Sequence, residues 1–235
     1  MRPVVRGDCP QDQAGQELRF AAYSHARREL IARLGEYCSY CEMHLDTSLA
    51  VEHVKPKQPP GSDKVLDERA LDWRNFLLAC TNCNSVKGSQ DLDLEACLWP
   101  DRDNTFRALA YAEGGLVSSR SGSQQALADR LIALVGLDRM PDTAAASDRR
   151  WLNRREAWDM AVRAKGRLER SDSEDMRQQI VETAQANGFW SVWMTVFEDD
   201  ADMLARLIAA FPGTCSDCFD AGQSFSVVHR PGGLC

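Results

Sequence analysis

Two Cys-x-x-Cys steps, Cys38-Ser-Tyr-Cys41 and Cys80-Thr-Asn-Cys83, constrain this chain more than any other feature. Four thiolates in two such pairs suit one tetrahedral zinc ion, with Zn–S bonds of about 2.3 Å. An ion held that way draws two remote segments together and fixes what lies between them. Between them lie Glu52-His53 and Trp73-Arg74-Asn75-Phe76, and Asn84 follows directly. The chain has nine cysteines, an odd number that argues against a pure disulfide framework. Its first residues, Met-Arg-Pro-Val-Val-Arg-Gly-Asp, carry no apolar core of an export signal. A cytoplasmic protein is therefore expected, and there paired Cys-x-x-Cys steps read as metal or redox sites. Two knuckles flanking a His and Asn set read as zinc.

No apolar run approaches the roughly 20 residues that span a membrane, so no membrane partner is expected. A hydrophobic fraction of 44% and a charged fraction of 27% are those of a globular chain able to bury a sizeable core. The net charge of −7 is awkward for a nucleic-acid enzyme, whose affinity comes mostly from neutralising phosphates. The charge is uneven, however. Arg149, Arg150, Arg154, Arg155, Arg163, Lys165, Arg167 and Arg170 cluster in one stretch, which reads either as a solvated helix face or as a substrate-binding face. The acidic total also points to a partner subunit that supplies part of the substrate grip.

The pattern predicts an α+β chain, mostly helical. Residues 1–15 read as an extended arm. Tyr23 to Leu34 has helical spacing, with Ala26, Leu30, Ile31 and Leu34 on one face and Gly35 as the stop. Leu49 to Lys55 reads as a short strand, Lys57 to Lys64 as a loop, and Thr81 to Lys87 as a short helix ended by Gly88. Phe106 to Ala112 and Leu116 to Ser119 read as a hairpin turned by glycines. Gln124 to Val135, Asp148 to Arg170, Glu174 to Ala186 and Ala201 to Ala210 read as helices whose apolar stripes, such as Leu127, Leu131, Leu134 and Val135, are core. Three regions follow: an arm and helix over 1–37, a zinc-knuckle core over 38–100, and a hairpin with helices over 101–235.

His53 is the candidate general base, since a neutral imidazole can take a proton from water at neutral pH. Asn84 directly follows a zinc-ligating cysteine, so it is rigidly placed and can offer an amide oxygen to a second, harder cation, Mg²⁺ or Mn²⁺. Its alternative role is to cap the helix after the knuckle. Asn75 reads as the residue that holds the loop by side-chain to backbone hydrogen bonds, against a plain turn residue. Lys87, one helical turn from Asn84, is a candidate contact for the scissile phosphate, against a solvated helix lysine. Glu52 is the candidate second metal ligand, against a solvent-facing carboxylate. Neighbouring strand residues point to opposite faces, so Glu52 and His53 share a site only if the strand ends or bulges there. Trp73 reads as a core anchor, and Cys9 and Cys97 as isolated structural cysteines.

Taken together, Cys38-x-x-Cys41, Glu52-His53, Asn75, Cys80-x-x-Cys83-Asn84 and Lys87 resemble an HNH endonuclease over roughly residues 30–100. The resemblance implies a zinc-stapled ββα-metal core, two strands and a helix around one catalytic divalent ion, with a helical C-terminal region. The usual last histidine is replaced here by Asn84, giving an H-N-N variant. The longer wording, Tyr-Cys-x-Tyr-Cys-Glu, Glu-His-Val-Lys-Pro-Lys and Trp-Arg-Asn-Phe-Leu-Leu-Ala-Cys, is similar to the HNH subunits of Septu-type and retron-associated antiphage systems. Those systems pair such a subunit with an ABC-type ATPase. The resemblance extends thinly through Trp99-Pro100 and Phe211-Pro-Gly-Thr214. It implies DNA hydrolysis with His53 activating water, a metal on Asn84 and Glu52, and a C-terminal half that docks the ATPase.

Two other functional classes stay open at this level. One is a non-catalytic zinc module that binds nucleic acid or protein. The other is an RNA nuclease, for instance one acting on tRNA. A second zinc site is also conceivable on Cys215, Cys218, His229 and Cys235, against free thiols near a tail.

Overall fold

A computed structural model describes residues 1–45, 47–140 and 147–235. Tyr23–Ala26 forms a 3-10 turn that runs into helix α1, Arg27–Leu34. Ala26, Leu30 and Leu34 are buried, as their spacing predicts, with Ile31 at the margin. Gly35 stops the helix at φ 75, where a side chain would meet the Tyr37 ring.

The next elements build the heart of the fold. Strand β1 is Ala50–His53, helix α2 is Asp67–Ala70, and strand β2 is Phe76–Ala79. The strands pair antiparallel, with Ala50 opposite Ala79, Val51 opposite Leu78, Glu52 opposite Leu77 and His53 opposite Phe76. Helix α3, Thr81–Lys87, follows β2 at once, and Gly88 ends it. Phe76 to Ala79 are all buried, which explains an apolar run with no alternation. β1 is shorter than the sequence predicts and ends at His53, a point with consequences for the site.

Helix α4, Thr105–Ala108, leads into hairpin strands β3, Leu109–Ala112, and β4, Leu116–Ser119. The sequence places Phe106 to Ala108 in the strand; they are instead one turn of helix. The reason is Asn104, whose side-chain oxygen accepts from Arg107 N at 3.2 Å and caps that turn. Helices α5, Gln125–Val135, α6, Arg150–Arg170, and α7, Glu174–Asn187, lie where their periodicity predicts. Helix α8, Trp190–Val196, has no counterpart in the sequence reading. Helix α9, Ala201–Ala210, precedes a two-residue pairing of β5, Phe219–Asp220, with β6, Ser226–Val227. No helix among the described residues is long and apolar enough to cross a membrane.

Two expectations are refined. The extended first residues are not exposed: Met1, Arg2 and Val4 are buried, Val4 N bonds Pro100 O at 2.7 Å, and Cys215 N bonds Pro3 O at 2.9 Å. The arm threads between the knuckle region and the chain after α9, so burial of its backbone is matched by hydrogen bonds. The basic stretch on α6 is not one face either. Arg149, Arg155, Arg163, Arg167 and Arg170 are exposed, but Arg150 and Arg154 are buried. Arg154 donates to Gly115 O at 2.7 Å and Leu137 O at 2.8 Å, closing the carbonyl ends of a turn and of the segment after α5.

Candidate metal centre and active site

The first knuckle is held from three sides. Ser39 N donates to Leu78 O at 2.8 Å, and Leu78 N donates back to Ser39 Oγ at 3.3 Å. This clips Cys38 and Cys41 to β2 just before Cys80. Glu42 adopts φ 66, and its buried carboxylate accepts from Ser191 N at 2.9 Å, from Ser191 Oγ at 2.6 Å and from Arg2 N. Gly188 approaches the Glu42 carbonyl so closely that a Cβ has no room. Sequence reasoning missed Glu42 as the anchor, although a polar residue directly after Cys41 was in view. The second knuckle is the start of α3, where Cys80 Sγ accepts from Cys83 N at 3.3 Å.

The four sulfurs of Cys38, Cys41, Cys80 and Cys83 lie within 4.8 Å of one another, and all four residues are buried. Cys41 Sγ and Cys80 Sγ are 3.7 Å apart. The edge of a ZnS₄ tetrahedron with bonds of 2.3 Å is about 3.8 Å, so the cluster has the dimensions and the soft donors that zinc takes. Hydrogen bonds shared among the sulfurs, chiefly with Cys38, hold the Cys80 thiol far below its usual range and push Cys41 well above it. Arg150 Nη1 donates to Cys83 Sγ at 3.1 Å and to Val135 O at 2.7 Å, while Asp148 accepts from the same guanidinium. A buried cation against the sulfur set offsets the negative charge that four thiolates and one Zn²⁺ leave behind.

Beside this centre, Glu52, His53 and Asn84 line one cavity of about 230 Å³, together with Tyr23, Lys57 and Gln58. The early end of β1 lets the neighbours Glu52 and His53 share it. Nε2 of the buried His53 lies 3.1 Å from Ala70 O. A carbonyl oxygen only accepts, so Nε2 carries the hydrogen and Nδ1 keeps the lone pair. The ring packs edge-on to Tyr23 and Phe76, with centroids 5.0 Å and 5.3 Å away. Burial lowers the imidazole pKa; the Ala70 bond, next in size, opposes it, and the charges of Lys57 and Lys87 add to the lowering, which keeps the ring neutral at pH 7.

Asn75 is where its reading predicts. Its amide donates to Lys55 O and to Arg69 O, both at 2.8 Å, and accepts from Lys55 N at 2.7 Å. It thereby fixes the residue before Ala70 and, through it, the carbonyl that orients His53.

Lys87 departs from its reading as a phosphate contact. It is 1% exposed, its ammonium 2.7 Å from Glu52 Oε1 and 2.7 Å from His53 O. The spacing from Asn84 put Lys87 on the right turn but could not reveal that β1 covers it. Glu52 is likewise buried rather than solvent-facing. Burial raises its pKa, and Lys87 opposes that rise. Asn84, on α3 and half-buried, stays on the cavity wall.

The C-terminal candidates do not assemble. Among the described residues the four sulfurs above form the metal-ligating group; Cys215, Cys218, His229 and Cys235 do not form another. Cys215 and Cys218 hydrogen-bond each other, His229 is exposed, and Cys235 Sγ donates to Asn104 O at 3.3 Å. Trp73 is the core anchor expected, with Nε1 donating to Gly7 O at 2.9 Å.

Comparison with known proteins agrees with this geometry. Residues 38–90 match the HNH endonuclease family. The chain is 35% identical over 69 residues to the Septu protein PtuB of Bacillus thuringiensis, an alignment covering 28% of this chain and 24% of that relative. The chain thus matches about a quarter of that relative's length.

Proposed function

We propose that this HNH-bearing chain is a metal-dependent endonuclease that hydrolyses DNA phosphodiester bonds, and that it serves as the effector of a bacterial antiphage complex with an ABC-type ATPase. The observation that carries the hydrolytic reading is the orientation of His53. Its Nε2–H is tied to the Ala70 carbonyl, so Nδ1 is the nitrogen left to take a proton from water. Burial keeps that nitrogen unprotonated at neutral pH. Asn75 holds the carbonyl's segment in place. Asn84 and Glu52 line the same cavity and offer hard oxygen donors suited to Mg²⁺ or Mn²⁺. Bound there, such an ion would neutralise charge on the phosphate and its departing 3′ oxygen. Water then attacks phosphorus in line, leaving a 5′-phosphate. The zinc set is structural in this reading, because four sulfurs leave no open position.

The net charge of −7 supports a partner that contributes cationic surface, and similarity to a Septu protein supports a defence setting. The test is cleavage of plasmid DNA and of labelled tRNA with Mg²⁺ or Mn²⁺, with and without the ATPase, for wild type and His53→Ala. Loss of DNA cleavage in His53→Ala at unchanged zinc content is the expected result. Equal behaviour of the two proteins on every substrate leaves a non-catalytic zinc module; cleavage of tRNA alone makes the substrate RNA.

A further inference from the structure

Four cations approach the candidate active site: Lys55, Lys57, Arg69 and Lys87. Three are committed elsewhere. Lys87 is buried on Glu52. Lys55 and Arg69 both pair with Asp91, Arg69 at 2.8 Å, and Lys55 also donates to Leu92 O at 2.7 Å. Lys57 is different. It lines the cavity with His53 and Asn84, and among the described residues it has no ion-pair partner. Its Nζ lies 4.0 Å from the centroid of the Tyr23 ring, and that ring in turn packs edge-on against His53. A cation over an aromatic face keeps its charge and its three donors, yet loses much of its freedom to swing away.

We infer that Lys57, shelved on Tyr23, is the residue that contacts the scissile phosphate in this cavity, in the role that spacing alone assigns to Lys87. The inference rests on the reading of the cavity as a nuclease site. An ammonium beside a metal-dependent hydrolytic centre donates to a non-bridging phosphate oxygen and stabilises charge there as it grows. Tyr23 does two things at once. It parks the ammonium at the cavity, and it walls the imidazole that takes the proton. The substrate class this fits is a phosphodiester whose backbone enters between the Lys57–Gln58 segment and α3.

The test uses the full chain with its partner and DNA, comparing single-turnover cleavage rates. Lys57→Gln is expected to slow cleavage by about 10- to 100-fold, the loss of one charge-assisted hydrogen bond. Lys57→Arg is expected to recover a large part of the rate. Tyr23→Leu, which removes the ring beneath the ammonium, is expected to fall toward Lys57→Gln. Lys64→Gln, on the same loop but off the cavity wall, leaves the rate unchanged. A second readout separates contact from scaffolding. On uncleaved duplex bound by His53→Ala, adding Lys57→Gln lowers the salt dependence of log K by about 0.9, one phosphate contact. A Lys57→Gln enzyme at the wild-type rate, with His53→Ala dead, overturns the Lys57 contact alone. A slower Lys57→Gln enzyme with an unchanged salt slope also overturns it, since Lys57 then acts only by holding Tyr23 and His53. Indistinguishable wild type and His53→Ala would overturn the nuclease reading and this inference with it.

Discussion

Two sets of cysteines in this chain look alike on paper and behave differently in space. Cys38, Cys41, Cys80 and Cys83 converge within 4.8 Å, whereas Cys215, Cys218 and Cys235 serve the backbone of a tail. The difference is what stands between the pairs. The first set is joined by an antiparallel ladder, β1 on β2, with the knuckle clipped to β2 through Ser39 and Leu78. The tail has two-residue strands and an amide, Asn104, that donates to Cys218 O at 2.9 Å and Val228 O at 2.7 Å. The sulfurs of one set face one another at the spacing a single ion could bridge, and those of the other do not. Cys-x-x-Cys spacing alone does not separate these cases; the surrounding register does.

The largest effect expected from this contrast is on zinc itself. Cys80→Ala removes a ligand and the cap of α3 together, so the protein should lose its metal and its cooperative melt. Structural zinc binding is worth on the order of 10 kcal/mol of folding free energy at pH 7. Cys218→Ser should keep one zinc per chain by elemental analysis. Two zinc ions in wild type, one of them lost in Cys218→Ser, would break the contrast.

That contrast also measures how far the sequence could be read. Strand β1 and helix α3 were legible because their signals are local: a short apolar run around Glu52, and a Cys-x-x-Cys step with a stop at Gly88. The shared cavity wall of His53 and Asn84 was legible too, because the knuckles flank both. Lys87 was not, because its burial depends on Glu52 across the sheet rather than on its own helix. Arg150 and Arg154 look like surface charges until the carbonyl ends they close are known. Helix α8 is apolar on nearly every side, so Trp190 to Val196 offers no period to detect.

Arg150 is the next-largest expected effect. Arg150→Met leaves two carbonyls without the guanidinium that bonds them, takes the cation from Asp148, which keeps Arg150 N and Asn82 as donors, and strips the cation from Cys83. The expected loss is about 3–5 kcal/mol, as for breaking a buried charged pair from one side. Zinc release to a chelator should accelerate about 10- to 100-fold, the scale of an outer partner's contribution. Unchanged release would make Arg150 a packing residue with no hold on the metal.

Asn104→Ala probes the other side of the contrast. It frees the carbonyls of Cys218 and Val228 and uncaps α4. About 1–3 kcal/mol of stability should go, with zinc content and DNA cleavage intact. Loss of zinc in this variant would tie the tail to the metal centre and undo the separation drawn here.

The smallest expected effect concerns charge, in the clamp that closes residues 55–69 over the segment after α3. Burial pushes the Asp91 carboxyl up, but hydrogen bonds and charge from Lys55 and Arg69 outweigh it and hold the group below its usual range. A folded-state pKa below the unfolded one means that the clamp's contribution is complete above about pH 4 and fades as pH falls through the folded value. The pairs lie at the surface with 20–28% of their side-chain area in solvent, so Asp91→Asn should cost about 0.5–1 kcal/mol at pH 7 and low salt. In urea melts the gap between wild type and Asp91→Asn should be constant from pH 5 to 8, as that pKa order demands, and close on acidification toward about pH 2. Faster amide exchange confined to residues 55–69 should accompany it at neutral pH. A gap that widens on acidification would reverse the sign assigned to Asp91 and remove its pairs from what holds the loop carrying Lys57.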